Sequence, residues 1–221
     1  MQWKWPLFGL MALPIFTGCG SNNSSNDQGN IIFDDDFNGS SLPEAWIQID
    51  GNPSNYAVAN SNLNITNTDG GSVEGVWRFV RFRKTFRPDS DFLLFCSFDF
   101  RRDRYKHFDI ALLDSNFEKI LDFRLASTPT DWLGVGVGPC GDDMIRDPSH
   151  DPGFVEISYQ GRSFAVQWDD SVYYQCDYNI EVHHLLLTFA QYVDDDDGFN
   201  TISIGRIWAE RHMNGGIFPF F

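Results

Sequence analysis

Basic residues are scarce in this chain of 221 residues, 16 against 31 acidic, and a net charge of −15 removes nucleic acid from the candidate partners. Glutamate is scarcer still. Six of the 31 acids are Glu and 25 are Asp, and Asp favours turns and hard-cation sites where Glu favours helices. Amphipathic helical periodicity and solenoid-length repeats are also missing, which leaves a loop-rich β protein. No apolar run is long enough to span a bilayer. Neither Gly-x-Ser-x-Gly nor His-Glu-x-x-His occurs, so two familiar hydrolase layouts are excluded.

The chain divides into three parts. Residues 1–18 read as a leader: one positive charge at Lys4, an apolar run from Pro6 to Phe16, and small residues before Cys19. Phe16-Thr17-Gly18-Cys19 resembles the bacterial lipoprotein box, with Phe16 where Leu is usual. The resemblance implies export, cleavage and lipidation at Cys19; Gly20 in the next place implies the outer membrane or cell surface. Residues 19–30 are then the lipidated Cys and a polar tether, and residues 31–221 one domain. Without residues 1–18 the net charge becomes −16, since Lys4 is lost and no acid goes with it. Contact with the membrane is expected through the anchor alone. Of the three remaining cysteines, alternation in Phe92–Phe100 sets Cys96 on a core face, and Cys140 and Cys176, in turn-rich segments, are the expected disulfide.

Short runs of strand-forming residues separated by turn residues fill the rest. Trp46–Ile49, Tyr56–Ala59 and Leu63–Thr66 come first, followed by longer strands at 76–86, 92–101, 107–113, 119–125 and 133–137, then 154–160, 162–168, 180–192 and 201–210. Phe108, Ile110 and Leu112 alternate with Asp109 and Ala111, and Leu121, Phe123 and Leu125 with Asp122 and Arg124. Residues 180–192 are apolar on both parities, as in a strand central to a sheet. Residues 138–153 read as a long irregular loop. The expectation is an all-β, two-sheet antiparallel sandwich in which strands 76–125 form a meander.

The run Phe33-Asp-Asp-Asp-Phe-Asn-Gly-Ser-Ser-Leu-Pro43, Trp46 three residues on, and Tyr56-x-Val-x-Asn-x-x-Leu63-x-Ile65 resemble the opening of the concanavalin A-like lectin and glucanase jelly rolls. That resemblance implies a sandwich and a glycan or cell-surface polymer as partner. It also implies a structural calcium joining the N-terminal segment to the last strand, at Asp36 and at Asn200, where Asp is usual. Laminarinase-like enzymes of this fold share a Glu-x-Asp-x-Glu or Glu-x-Asp-x-x-Glu strand motif, and none of the six Glu here has an acid two residues on. The arginine-rich and Gln-x-His motifs of the jelly-roll alginate lyases are absent as well.

If Phe82, Phe98, Ile110 and Phe123 face the core, then Arg81, Arg83, Ser97, Asp99, Arg101, Asp109, Asp122 and Arg124 face outward together. Arginine forks and carboxylates can bond sugar hydroxyls, and Trp77 or Trp132 can stack on a pyranose face. Trp77, Arg83, Asp99, Arg101, Asp109 and Arg124 are the candidate carbohydrate-binding residues. The plainer reading is a solvated sheet laced with ion pairs. Asp194–Asp197 fits a hairpin tip, because Val193 falls where an EF-hand needs its first ligand. His183 and His184 point to opposite faces, and His107, His150 and His212 lack ligand spacing. The function expected is non-catalytic carbohydrate binding. A glycan-active hydrolase or lyase using Asp99 or Asp109, and an assembly lipoprotein docking through the apolar residues 215–221, stand as alternatives.

Overall fold

A computed structural model describes residues 30–66, 76–100, 106–127, 132–137, 141–146, 153–168, 171–177, 181–193 and 201–212. The strands are β1 (Ile31–Asp35), β2 (Trp46–Asp50), β3 (Tyr56–Ala59), β4 (Asn62–Thr66), β5 (Val76–Thr85), β6 (Phe92–Asp99), β7 (Lys106–Leu113) and β8 (Lys119–Ser127). They continue as β9 (Trp132–Val137), β10 (Gly141–Arg146), β11 (Phe154–Gln160), β12 (Ser163–Trp168), β13 (Ser171–Asp177), β14 (His184–Val193) and β15 (Thr201–Arg211). Helix among the described residues is confined to a single 3-10 turn at Pro53–Asn55.

Two antiparallel sheets face each other. One has eight strands, ordered β13-β12-β11-β6-β15-β4-β3 with β1 also on β15; the other has seven, ordered β10-β9-β8-β7-β14-β5-β2. Period-two alternation sends Phe82, Ile110, Phe123 and Phe189 inward from one sheet and Leu94, Cys96, Phe98 and Ile157 inward from the other, all buried. The sheets meet through aromatic contacts: Phe98 lies 5.3 Å from Phe108 and 6.5 Å from Phe123, and Tyr56 lies 5.1 Å from Phe82. β14 sits between β5 and β7, and its buried Leu185–Ala190 run explains the apolar residues on both parities.

The Asp34–Asp36 run serves three separate ends. Asp34 forks onto Arg206 of β15, with both bonds at 2.7 Å. Asp35, on the next position and the opposite face, is buried; Lys84 Nζ and Trp46 Nε1 each donate to its Oδ2 at 2.8 Å. This pair closes β1 onto β2 and β5 of the other sheet, and the indole bond supplies the extra partner that a buried charge pair requires. Asp36 accepts from the Asn38 backbone at 3.2 Å and from the Asn38 amide.

Several expectations are corrected. Strands 76–125 are not a meander, because β5 and β7 are both neighbours of β14 while β6 lies in the eight-stranded sheet. The segment expected to be a long loop contains β10, paired with β9 through six consecutive residues. Its Asp142-Asp143 has no apolar alternation, and backbone pairing outweighs the missing signal. β13 was likewise not expected. Cys96 is buried and free, with burial pushing its thiol up, and Cys176 is disulfide-bonded. Cys19 and Cys140 lie outside the described residues.

Candidate functional site

The outer face of the seven-stranded sheet is set by register. Ile47, Arg83, Leu186, Ala111 and Asp122 form one cross-strand row, and Asp50, Arg81, Thr188, Asp109 and Arg124 the next. Phe79, Ala190 and His107 form a third, and Trp77 with Tyr192 a fourth. Over these rows lies a cavity of about 470 Å³. Leu113 and Leu186 line its floor and, with Ala111, form a small buried apolar cluster. Arg81, Arg83, Lys119 and Arg124 supply cations to its walls, and Phe79 and Phe117 supply rings.

Local geometry fixes two of the wall elements. Gly51 follows β2 at φ +87°, and a Cβ there would come within 3.1 Å of Phe79 O and 3.2 Å of Val80 Cα, so only glycine lets this corner pass over β5. Between β7 and β8 the Asp114 carboxylate accepts from the backbone N–H of Asn116 at 2.8 Å and of Glu118 at 2.9 Å. Those bonds hold Asp114 below the usual carboxylate range, the Glu118 bond contributing most. They also hold Phe117 at φ +66°, half exposed, with its ring stacked 4.7 Å from His184 and the Arg83 guanidinium 4.4 Å over it.

Asp109 is the buried centre of the charge network, its side chain 3% exposed. Arg124 donates to it twice, at 2.7 and 2.9 Å, and His107 Nδ1 lies 3.0 Å from Oδ1. Lys119 reaches the same carboxylate at 3.8 Å and Asp122 at 2.9 Å. Burial pushes Asp109 up, but the bonds and charges of His107 and Arg124 together outweigh it and hold the carboxyl below its ordinary value. Arg81 bonds Asp50 at 2.9 Å and lies 4.3 Å over the Phe79 ring. Trp77, 39% exposed, contacts His107 at 5.0 Å and Tyr192 at 5.7 Å.

Of the expected binding residues, Trp77, Arg83, Asp109 and Arg124 come together on this face. Asp99 does not: it ends β6 in the other sheet, opposite Ser203. Arg101 lies outside the described residues, and Trp132 continues the row of Phe79, Ala190 and His107 through Ala126 and pairs with Arg146 of β10. Phe79, Phe117 and Lys119 were missed. Phe79 shares parity with Trp77 and Arg83, so alternation alone could have found it; Phe117 and Lys119 follow from turn geometry, which it does not encode. His107 lacks ligand spacing in the sequence, and its place two residues before Asp109 is what seats it on that carboxylate.

Asp36 is the described half of the expected calcium pair, and Asn200 lies outside the described residues. Among the described residues no three or more His, Cys, Asp or Glu are gathered in a metal-holding group.

Solved structures fix what this frame resembles. The catalytic domain of an endo-1,3-β-glucanase (laminarinase) from Thermotoga petrophila RKU-1 is similar with a TM-score of 0.64 at 13% identity, covering 83% of this chain and 98% of that one. A Bacillus licheniformis β-glucanase gives 0.62 at 10% identity over 85% and 100%. The CBM2 module of the evolved Dit of Lactobacillus casei BL23 phage J-1 gives 0.60 at 14% over 82% and 95%. The fold is a concanavalin A-like jelly roll. No family model and no curated protein matches the chain by sequence.

Proposed function

We propose that this chain is an exported, lipid-anchored protein whose jelly roll binds a glycan without cleaving it. The observation that carries the reading is the make-up of the cleft. Rings of Phe79 and Phe117 stand next to guanidinium and ammonium donors over an apolar floor, and Trp77 packs on His107, which lines the same cleft. Sugars are bound by that combination, stacking on C–H faces and hydrogen bonding at the rim. Asp109, the carboxylate lining the cleft, is buried under Arg124 and held ionised. A retaining glycosidase needs two carboxyls about 5–5.5 Å apart, one of them protonated when substrate arrives. Similarity to both glucanases and a CBM2 module is compatible with a binding role on this frame.

A glycan array probed with the full-length protein, with and without chelator, tests the reading. Binding to at least one glycan, weakened about tenfold or more by Trp77→Ala, is the expected result. No binding under either condition overturns it. The neighbouring glucanases favour hydrolysis as the second reading, and release of reducing ends from any glycan bound on the array would select it. Anchoring at Cys19 is part of the proposal: Cys19→Ser is expected to move the protein from the membrane fraction to the soluble one.

A further inference from the structure

The cleft contains more positive charge than its own carboxylates absorb, in a chain whose net charge is −15. Among the described residues, four cations line it against Asp109 alone. Three of the four are engaged: Arg124 on Asp109, Lys119 on Asp122, Arg81 on Asp50. Arg83 is different. Among the residues whose side chains are described, no carboxylate is placed against it; its guanidinium lies over the Phe117 ring, 4.4 Å from the centroid. A ring face satisfies the plane of a guanidinium and leaves the N–H edges free to donate. The surroundings carry the same sign: His184, beside Phe117, is held below its ordinary value, first by burial and then by the charges of Arg83 and Arg87.

We infer that the glycan bound here is acidic, and that Arg83 receives its carboxylate or sulfate group. This rests on the binding reading above and names the ligand class for the same cleft. An arginine edge matches the two oxygens of a carboxylate or sulfate with paired, charge-assisted hydrogen bonds, which a neutral hydroxyl cannot reciprocate. Phe117 holds the guanidinium in one orientation, so little side-chain entropy is left to lose on binding. The strongly acidic remainder of the chain offers a polyanion no extended basic track. Recognition is therefore local, one acidic sugar in the cleft, in contrast to the extended basic track that nucleic acid requires.

Affinity electrophoresis and calorimetry on the full-length protein decide the matter, using a polyuronate, a sulfated galactan and the neutral glucans laminarin and lichenan. Binding is expected to the polyuronate or the sulfated galactan, and which of the two identifies the anion. Arg83→Gln is expected to weaken it at least tenfold and Arg83→Lys to fall between. Arg211→Gln, which removes the same charge from the other sheet, is expected to leave it unchanged. Thermal melting of each variant separates lost binding from lost folding. Neutral glucans bound as well as acidic ones, with Arg83→Gln silent, would overturn the acidic assignment and leave glycan binding intact. Acidic binding that survives Arg83→Gln would overturn the role of Arg83, and failure of both acidic polymers would overturn the acidic assignment, while only an empty glycan array removes the binding reading.

Discussion

Two arginine forks, one on each outer face, use the same groups at nearly the same distances. Arg124 holds Asp109 at 2.7 and 2.9 Å on the seven-stranded sheet; Arg206 holds Asp34 at 2.7 Å twice on the eight-stranded sheet. Their surroundings differ. The Asp109 side chain is 3% exposed and also touches His107 and Lys119, while that of Asp34 is 34% exposed and Arg206 stacks on Trp208. Distance alone therefore says little about what either pair contributes. Dielectric surroundings and the number of partners decide it, and they mark one face as a built site and the other as a surface clasp.

The largest effect expected is at Asp109. Alanine there leaves Arg124, His107 and Lys119 facing a void at a dry position, and breaking a buried pair costs roughly 3 kcal/mol, the lower end applying because water reaches the Arg124 head. Asp34→Ala removes an exposed fork and costs below about 1 kcal/mol. For a domain of this size, thermal melts followed by circular dichroism should show a drop on the order of 10 °C for the first and about 2 °C for the second. Equal shifts would erase the distinction between the faces.

Acid titration sharpens the same contrast. Asp109 has a folded pKa below its unfolded value, so its ionic contribution is complete above the unfolded carboxylate value of about 4 and is lost as pH falls through the depressed folded one. Urea denaturation of wild type and Asp109→Asn should therefore differ by a constant amount from neutral pH down to about pH 4, with the gap closing below that. Asp34 is also lowered, its bond from Arg206 outweighing partial burial, so its gap has the same sign and a smaller height. A gap that widens on acidification would mean the sign of the Asp109 shift is wrong.

Within each strand the sequence was legible, and between strands it was not. Alternation put Phe82, Cys96, Phe98, Ile110 and Phe123 inward, because side-chain direction has a local period of two. Neighbour relations depend on partners distant in sequence: Phe189 pairs with Val80 on one side and Phe108 on the other. Nothing near Phe98 or Asp99 announces that their strand crosses to the opposite sheet, so Asp99 was grouped with Asp109 when only Asp109 belongs to the cleft. The same reasoning explains the Asp34–Asp36 run. Composition offers three equivalent carboxylates, and alternation with long-range pairing gives them an exposed fork, a buried lysine and a turn.

The smallest expected effect lies on the clasp face and has the opposite sign. Glu156 of β11 stands opposite Phe95, whose ring stacks on Trp208 at 4.7 Å; Phe154 lies 5.8 Å from the same indole. Its Oε1 is buried with no hydrogen-bond partner among the described residues, and burial pushes its pKa up. A raised folded pKa makes the ionised side chain a cost above that value, and the cost disappears once both states are protonated, below the ordinary Glu value of about 4.3. Glu156→Gln keeps the shape and removes the charge. It should raise Tm by about 1–3 °C at pH 8 and by nothing measurable at pH 4. Loss of stability at pH 8 would mean that the carboxylate has a cation to answer it, and the clasp face would then hold a buried charge site of its own.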